Sequence, residues 1–385
     1  MKKVLEIITL ASSAEAFIGS QFSYFQEEGD YEMHLICSDS DTLDDFAKKQ
    51  GIKYQAVEIS RQLSPVKDLK AIWKIAQYIR KNKIDIVVAH YFPKASLIAN
   101  IANLLAGNKT KVMIAHGVLH DTMHGLARKM VIWEQKFDVA FAKKVVCVSP
   151  SVARRRREDG IEEASKQVIL GGGSCNGVDA IEKFNPELIS AIVTVQLKEK
   201  YGIKEGDFVV GFSGRLVHDK GISELSQAFS QLKAKHEGES IKLLIIGEPE
   251  KRDAVPQHVM DILYNNKDVI FTGKVPYSEI QRYYLLMDVL VLPSYREGFP
   301  TVVLEAGAMG LPVIVSRSTG CIDSIKEGVT GLFTDITPES LTACVEKFLD
   351  RDYAKTMGRN ARKYVVENYD QRIIRKYMLD VLDSL

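Results

Sequence analysis

The run Arg296-Glu297-Gly298-Phe299-Pro300-Thr301-Val302-Val303-Leu304-Glu305 carries the sharpest chemical signal in the chain. It follows an apolar, strand-like segment at 289–292 and the pair Pro293-Ser294. Pro300 suits the first residue of a helix, where its missing N–H is not needed. The amides of Thr301 and Val302 would then point outward from a positive helix end, which is an anion site. Glu305 lies four residues beyond Thr301, on the same face, and leans back towards that end. With Glu297 in the preceding loop, two carboxylates flank a phosphate-sized hole. They suit gripping hydroxyl groups on either side of a diphosphate. Taken alone, the pattern also allows a blander reading, with Glu297 solvated in a loop and Glu305 on a helix surface.

A second run sharpens the first. The apolar segment 208–212 leads into Ser213-Gly214-Arg215-Leu216-Val217-His218-Asp219-Lys220-Gly221, and a helix is predicted from about Ile222. Cations at the positive end of a helix are unfavourable unless an anion compensates them. Arginine's fork suits bidentate contact with phosphate, and lysine supplies a point charge. Both loops follow the carboxyl ends of strands, where open α/β sheets bind ligands. The second half of the chain therefore reads as a holder of a nucleotide diphosphate.

Other groups are more ambiguous. His90 and His116 end predicted strands on the ligand-binding edge, and each is either a ligand contact or a satisfied core histidine. Asp39-Ser40-Asp41 is an acidic pair of the kind that holds a metal, but Asp44 and Asp45 continue it as a helix start. With Arg215 and Lys220 neutralising a diphosphate, no metal is expected. No G-x-G-x-x-G follows a strand, and the glycines at 171–173 lack lysine and serine at P-loop spacing, so neither a dinucleotide fingerprint nor a P-loop is present. The five cysteines show no C-x-x-C spacing, which argues for a reducing compartment and against a disulfide framework.

The elements that must position these groups alternate along the chain. Apolar runs at 4–10, 34–38, 84–89, 111–115 and 145–149 suit buried parallel strands, with amphipathic stretches such as 66–81 and 123–142 between them. After the glycines at 171–173 the alternation restarts, with strands predicted at 208–212, 243–246, 269–271, 289–292 and 313–315. Two doubly wound units follow. The length of 385 residues also suits two domains of roughly 150 residues or more. We place the first at 1–175, the second at 176–367, and a last helix at about 368–385 crossing back to the first.

Composition bounds the partners. Fifty-one basic against 50 acidic residues give +1, which argues against a nucleic-acid partner. Glu6 interrupts the apolar start, so 4–10 reads as a strand rather than a signal peptide, and no apolar run reaches the roughly 18 residues of a membrane span. Residues 122–157 hold nine basic and two acidic residues, 9 − 2 = +7, interleaved with Met123, Leu126, Met130, Trp133 and Phe137. Such a stretch either lies on an anionic membrane or packs with a solvated basic face. The consecutive Arg154, Arg155, Arg156 and Arg157 are its densest part.

The span Glu297 to Glu305, the Gly-Arg…Lys-Gly loop at 214–221, and Asn176-Gly177-Val178-Asp179 resemble the family 4 retaining glycosyltransferases of the GT-B fold. The runs GRLVHDKGI, YYLLMDVLVLPSYREGFPTVVLEAGAMGLPVI and GCIDSI are similar to those of capsule, exopolysaccharide and lipopolysaccharide enzymes, and of an N-acetylgalactosaminyltransferase that builds lipid-linked oligosaccharides. The resemblance implies two Rossmann-like domains facing across a cleft, a UDP-sugar donor and retention of configuration. It assigns Arg215 and Lys220 to the donor phosphates, beside Gly214, with Glu297 on the donor sugar and Glu305 on the ribose. The backbone at Gly298, Phe299, Thr301 and Val302 would touch sugar and phosphate, and the segment from Thr272 to Val275 would read the base. In the first domain it implies that His116 contacts the sugar. Gly19 stands where relatives carry a glycine-rich phosphate loop. The acceptor it implies is a polyprenyl-diphosphate-linked glycan at the cytoplasmic membrane face, with no cofactor beyond the donor. A GT-B-like nucleotide-sugar epimerase and a non-catalytic nucleotide-sugar-binding protein are the alternatives.

Overall fold

Strand-forming runs of Val, Ile and Leu recur every few tens of residues, and in the computed structural model they build two separate parallel sheets. The structure describes residues 1–11, 13–14, 18–59, 64–107 and 109–385. The chain divides into two units, residues 1–176 with 372–385, and residues 177–371.

The first unit holds a seven-stranded sheet in the order β3-β2-β1-β4-β5-β6-β7. Its strands are β1 (Lys2–Leu10), β2 (Tyr31–Ser38), β3 (Lys53–Ala56), β4 (Ile86–His90), β5 (Thr110–Ala115), β6 (Lys144–Cys147) and β7 (Gln167–Val168). The second unit holds six, β10-β9-β8-β11-β12-β13. They are β8 (Phe208–Ser213), β9 (Ile241–Ile246), β10 (Val269–Gly273), β11 (Val289–Leu292), β12 (Val313–Ser316) and β13 (Gly331–Thr334). Every ladder in both sheets is parallel. In each unit the strand order reverses beside the first strand, at β1/β4 and at β8/β11. Such a switch point opens a crevice beyond the carboxyl ends of the strands.

The central strands are buried on both faces, which is why their sequences read as continuous apolar runs. Three strands escaped the sequence reading for the opposite reason. β3, β7 and β13 sit at sheet edges, are short, and in β3 and β7 every side chain is at least partly accessible. Strand ends also moved. Ile84 still closes the turn after the helix Pro65–Asn82, its amide bonding to Ile79, so β4 begins at Ile86 rather than 84. Ser149 does not extend β6; its hydroxyl caps the helix Pro150–Glu158 by accepting the Val152 amide at 3.2 Å.

The unit boundary is fixed by backbone pairing. The Val178 amide bonds to Tyr369 and the Gln371 amide returns to Val178, holding the end of the long helix Arg351–Tyr369 in the second unit. The last helix therefore starts at Gln371, not 368. It buries Ile374, Met378 and Leu382 at four-residue spacing in the first unit. Arg375 donates to Asn176 at 2.9 Å, and the Tyr31 hydroxyl donates to Asp383 at 2.6 Å.

Candidate functional site

In the second unit, the loops leaving β8 and β11 meet at the switch point. The loop after β8 ends in a turn of 3-10 helix, His218–Lys220, and Gly221 then starts the helix Ile222–Lys235. Gly221 has φ +67°, and a Cβ there would lie 2.2 Å from the Pro293 carbonyl oxygen of the other loop. Glycine alone permits that approach. Three further contacts strap the loops together. Tyr295 N–H donates to the Asp219 carbonyl at 2.9 Å, Arg296 pairs with Asp219 at 2.6 Å, and the His218 and Tyr295 rings stack. Across this strap Lys220 and Glu297 form an ion pair, both largely buried. A third loop, after β12, supports Glu297 from behind: its amide bonds to Thr319, and a Cβ on Gly320 would lie 2.4 Å from the Gly298 carbonyl.

Pro300 does not open the following helix as its first residue. With ψ at 99° it is the N-cap, and the helix runs Thr301–Ala308. Thr301 and Val302 are thus the first two helical residues, with their amides directed along the axis towards the loop that carries Glu297. Arg215 is the outlying member of the set. It is 62% exposed and pairs with Glu250 at 2.9 Å. Gly214 bonds through its amide to Ile246 and carries its carbonyl against Gly247.

Glu305 is neither solvated nor on the surface. Its carboxylate accepts the Tyr284 hydroxyl at 2.6 Å inside the unit. Burial pushes its pKa up to about 7, while hydrogen bonds from Tyr284 and Tyr277 and the charge of Lys183 draw it back. Lys183, also desolvated, is pushed down to about 8, against the pull of Glu305 and Asp179, and it lies over the Tyr277 ring. Tyr277 follows β10 on the loop that carries Val275. Thr272 is the next-to-last residue of that strand, with its hydroxyl on the Gly273 carbonyl at 3.0 Å. Sequence reasoning missed Lys183, Tyr277 and Tyr284, which belong to segments far from Glu305 in the chain.

In the first unit, a polar chain crosses the other switch point. Glu6, in the middle of β1, accepts from His90 Nε2 at 2.7 Å, and His90 Nδ1 lies 2.8 Å from His116 Nε2. Glu6 and His90 are buried, and the two imidazoles stack at 5.0 Å. Each imidazole nitrogen in this chain can donate or accept, the role set by the tautomer, so the three side chains are coupled by their protons. Burial, aided by His90, holds His116 well below the ordinary histidine range and so keeps it neutral. His90 and His116 are therefore members of one network. The signal for Glu6 was visible in the sequence as the charge breaking an apolar run.

Gly19 has φ +55° and closes a turn, its amide bonding to Ala14. Of the segment Ala14 to Ser20, residues Glu15, Ala16 and Phe17 lie outside the described residues. Asp39 turns its carboxylate onto the Ser40 amide at 3.0 Å, ahead of the helix Leu43–Gln50. The four consecutive arginines do not share one exposed face. Arg156 is fully buried, bonding Glu162 at 2.8 and 2.7 Å, and Arg155 bonds Asp121 at 2.7 Å, leaving Arg154 and Arg157 exposed.

The two doubly wound units are those of the GT-B fold, and two family models, two relatives and a solved structure agree. Residues 15–173 match the glycosyl transferase 4-like domain, and residues 194–364 match the glycosyl transferases group 1 family. The capsular polysaccharide biosynthesis glycosyltransferase CapM of Staphylococcus aureus is 28% identical over 97% of this chain and 94% of its own. The UDP-Gal:alpha-D-GlcNAc-diphosphoundecaprenol alpha-1,3-galactosyltransferase of Escherichia coli is 26% identical, over 95% and 92%. Anabaena HepE, solved with UDP and glucose, shares the fold at a TM-score of 0.81 over 100% of both chains, with 18% identity. The two matched domains and these relatives are those of the family 4, GT-B type. The protein is a glycosyltransferase on these matches.

Proposed function

We propose that the enzyme moves a hexosyl or N-acetylhexosaminyl group from a UDP-sugar to a polyprenyl-diphosphate-linked glycan, with retention, in surface polysaccharide or glycan synthesis at the inner face of the cytoplasmic membrane. The observation that carries this reading is the meeting of Lys220, Glu297 and the Thr301 helix start at the β8/β11 switch point. The S. aureus relative is named for capsule synthesis, and the E. coli relative for a UDP-galactose donor and a diphosphoundecaprenol acceptor.

The reaction breaks the bond between the anomeric carbon and the β-phosphate oxygen. Negative charge grows on the leaving diphosphate while the sugar becomes oxocarbenium-like. Lys220 exchanges Glu297 for the phosphate, Arg215 adds its fork, and the amides of Thr301 and Val302 meet the same charge, a preorganised arrangement of the kind that carries most electrostatic catalysis. Glu297, released, orients the sugar, with Gly298 and Phe299 alongside, and Glu305 holds the ribose. Thr272 and Val275 border the base. His116 is the first unit's candidate for the sugar. The leaving phosphate takes the acceptor's proton. The two cations make a metal unnecessary.

Incubating the protein with radiolabelled UDP-sugars and a lipid-linked acceptor pool in excess EDTA tests the reading. A new glycoside is expected. An isomerised donor would mark an epimerase instead, and an unchanged donor that still binds would mark a sensor. Lys220→Ala and Arg215→Ala should each lower kcat/KM about 10²-fold, the scale for losing one preorganised group. Near-wild-type kinetics in both would remove them from the diphosphate site.

A further inference from the structure

We infer that the outward face of the helix Gly125–Ala140 is a docking surface for an anionic lipid bilayer. An ordinary surface helix turns apolar residues inward and polar ones to water. This helix departs from that pattern. Its inward face holds Gln135 and Asp138, both fully buried, beside Val139, and Asp138 pairs with the buried Lys111 at 2.5 Å and bonds Ser96. Gln135 accepts Arg156 at 2.6 Å, and Glu134 accepts the Tyr91 hydroxyl at 2.7 Å. Its outward face carries Leu126, Met130, Trp133 and Phe137, which are 73%, 63%, 70% and 36% exposed.

The intervals of four, three and four residues confine these side chains to an arc of about 60° at 3.6 residues per turn. The Trp133 and Phe137 rings lie 6.1 Å apart and nearly parallel, so the stripe is a continuous ridge. Lys129 and Lys136, seven residues apart and both exposed, run along one edge of it. Both acidic residues of the helix, Glu134 and Asp138, are engaged with partners on its buried side. The outward face therefore offers apolar side chains, tryptophan among them, beside cations. That is the chemistry of a helix lying in a headgroup layer. A second copy fits less well, since a two-fold interface would set the lysine rows of both copies at one ridge. Among the described residues no helix is long and apolar enough to cross a membrane, so attachment of this kind lies on the surface. The inference rests on the reading above, in which the acceptor is anchored in a lipid leaflet, and supplies the surface that brings the enzyme to it.

Sedimentation of the full chain with phosphatidylcholine vesicles, with and without phosphatidylglycerol, is the direct test. Wild type should bind the anionic vesicles, less so as salt rises. Met130→Gln with Trp133→Gln should weaken partitioning roughly tenfold or more. Lys129→Gln with Lys136→Gln should remove the preference for anionic lipid. Arg154→Gln with Arg157→Gln, off this helix, should bind nearly as wild type does. The ridge substitutions replace exposed side chains, and unchanged thermal unfolding would show that the fold survives them. Wild type left in the supernatant, or equal binding by the ridge variant, overturns the proposal. So does a concentration-dependent dimer that the ridge substitutions abolish. Transfer to a water-soluble acceptor analogue separates this outcome from the catalytic reading. Vesicle binding without transfer to any lipid-linked acceptor would refute the acceptor assignment and leave the docking surface standing.

Discussion

Glu305 shows how burial changes the chemistry of a residue whose type the sequence made plain. Its carboxyl group is enclosed by Tyr284, Tyr277 and Lys183, and burial raises its pKa to about 7. A native pKa above the unfolded value means that the folded protein keeps this proton longer. Its contribution to stability is therefore greatest below the unfolded value and is lost as pH rises to about 7. Binding runs the other way if the ribose hydroxyls need a carboxylate to accept their hydrogen bonds. Donor kcat/KM, which reports the free enzyme, should rise with pH through about 7. Glu305→Gln should flatten that limb, and Tyr284→Phe, by removing a bond that favours the charged form, should move it upward. A pH-rate profile at saturating acceptor measures all three.

Among the elements, the helix Pro150–Glu158 depends on one arginine. Arg156 is fully buried, with Glu162 on two nitrogens and Gln135 on a third. A buried pair of this kind adds little net stability over an apolar isostere, but removing one partner strands the other charge. Arg156→Ala should cost about 3–5 kcal/mol in urea unfolding of the first unit. The exposed neighbour Arg154→Gln should stay within about 0.5 kcal/mol of wild type. The same network explains the facing of the helix Gly125–Ala140. Gln135 and Asp138 must face inward to satisfy Arg156 and Lys111, which turns the apolar ridge outward.

At the scale of the whole molecule, the last helix ties the end of the chain to its beginning. Ile374, Met378 and Leu382 are at most 1% exposed in the first unit. Burying such side chains contributes about 1.5–3 kcal/mol each, so the three together are comparable with the net stability of a domain. A chain ending at Asp370 should retain a folded second unit and lose cooperative unfolding of the first. Limited proteolysis should then degrade residues before 177 and spare the segment 177–370. Equal resistance of both segments would show that the last helix is dispensable.

The sequence by itself determined the two doubly wound units and the chemistry of the loops after β8 and β11. Strands buried on both faces must be apolar throughout, and a short loop brings its own residues together wherever the rest of the chain goes. That is why 289–292 was read with correct bounds, and why Glu297 and Lys220 could be singled out. Edge strands β3 and β7 stayed hidden, because a strand with water on one side needs no continuous apolar run. Only the tertiary structure decided side-chain partnership. Glu6 joins His90 across 84 residues, Lys220 joins Glu297 across 77, and Arg156 and Asp138 are buried because Glu162 and Lys111 come to meet them. A charge in a sequence carries no mark of whether it will meet water or a counter-charge. The desolvation cost that separates the two is set by partners that only the folded chain brings into contact.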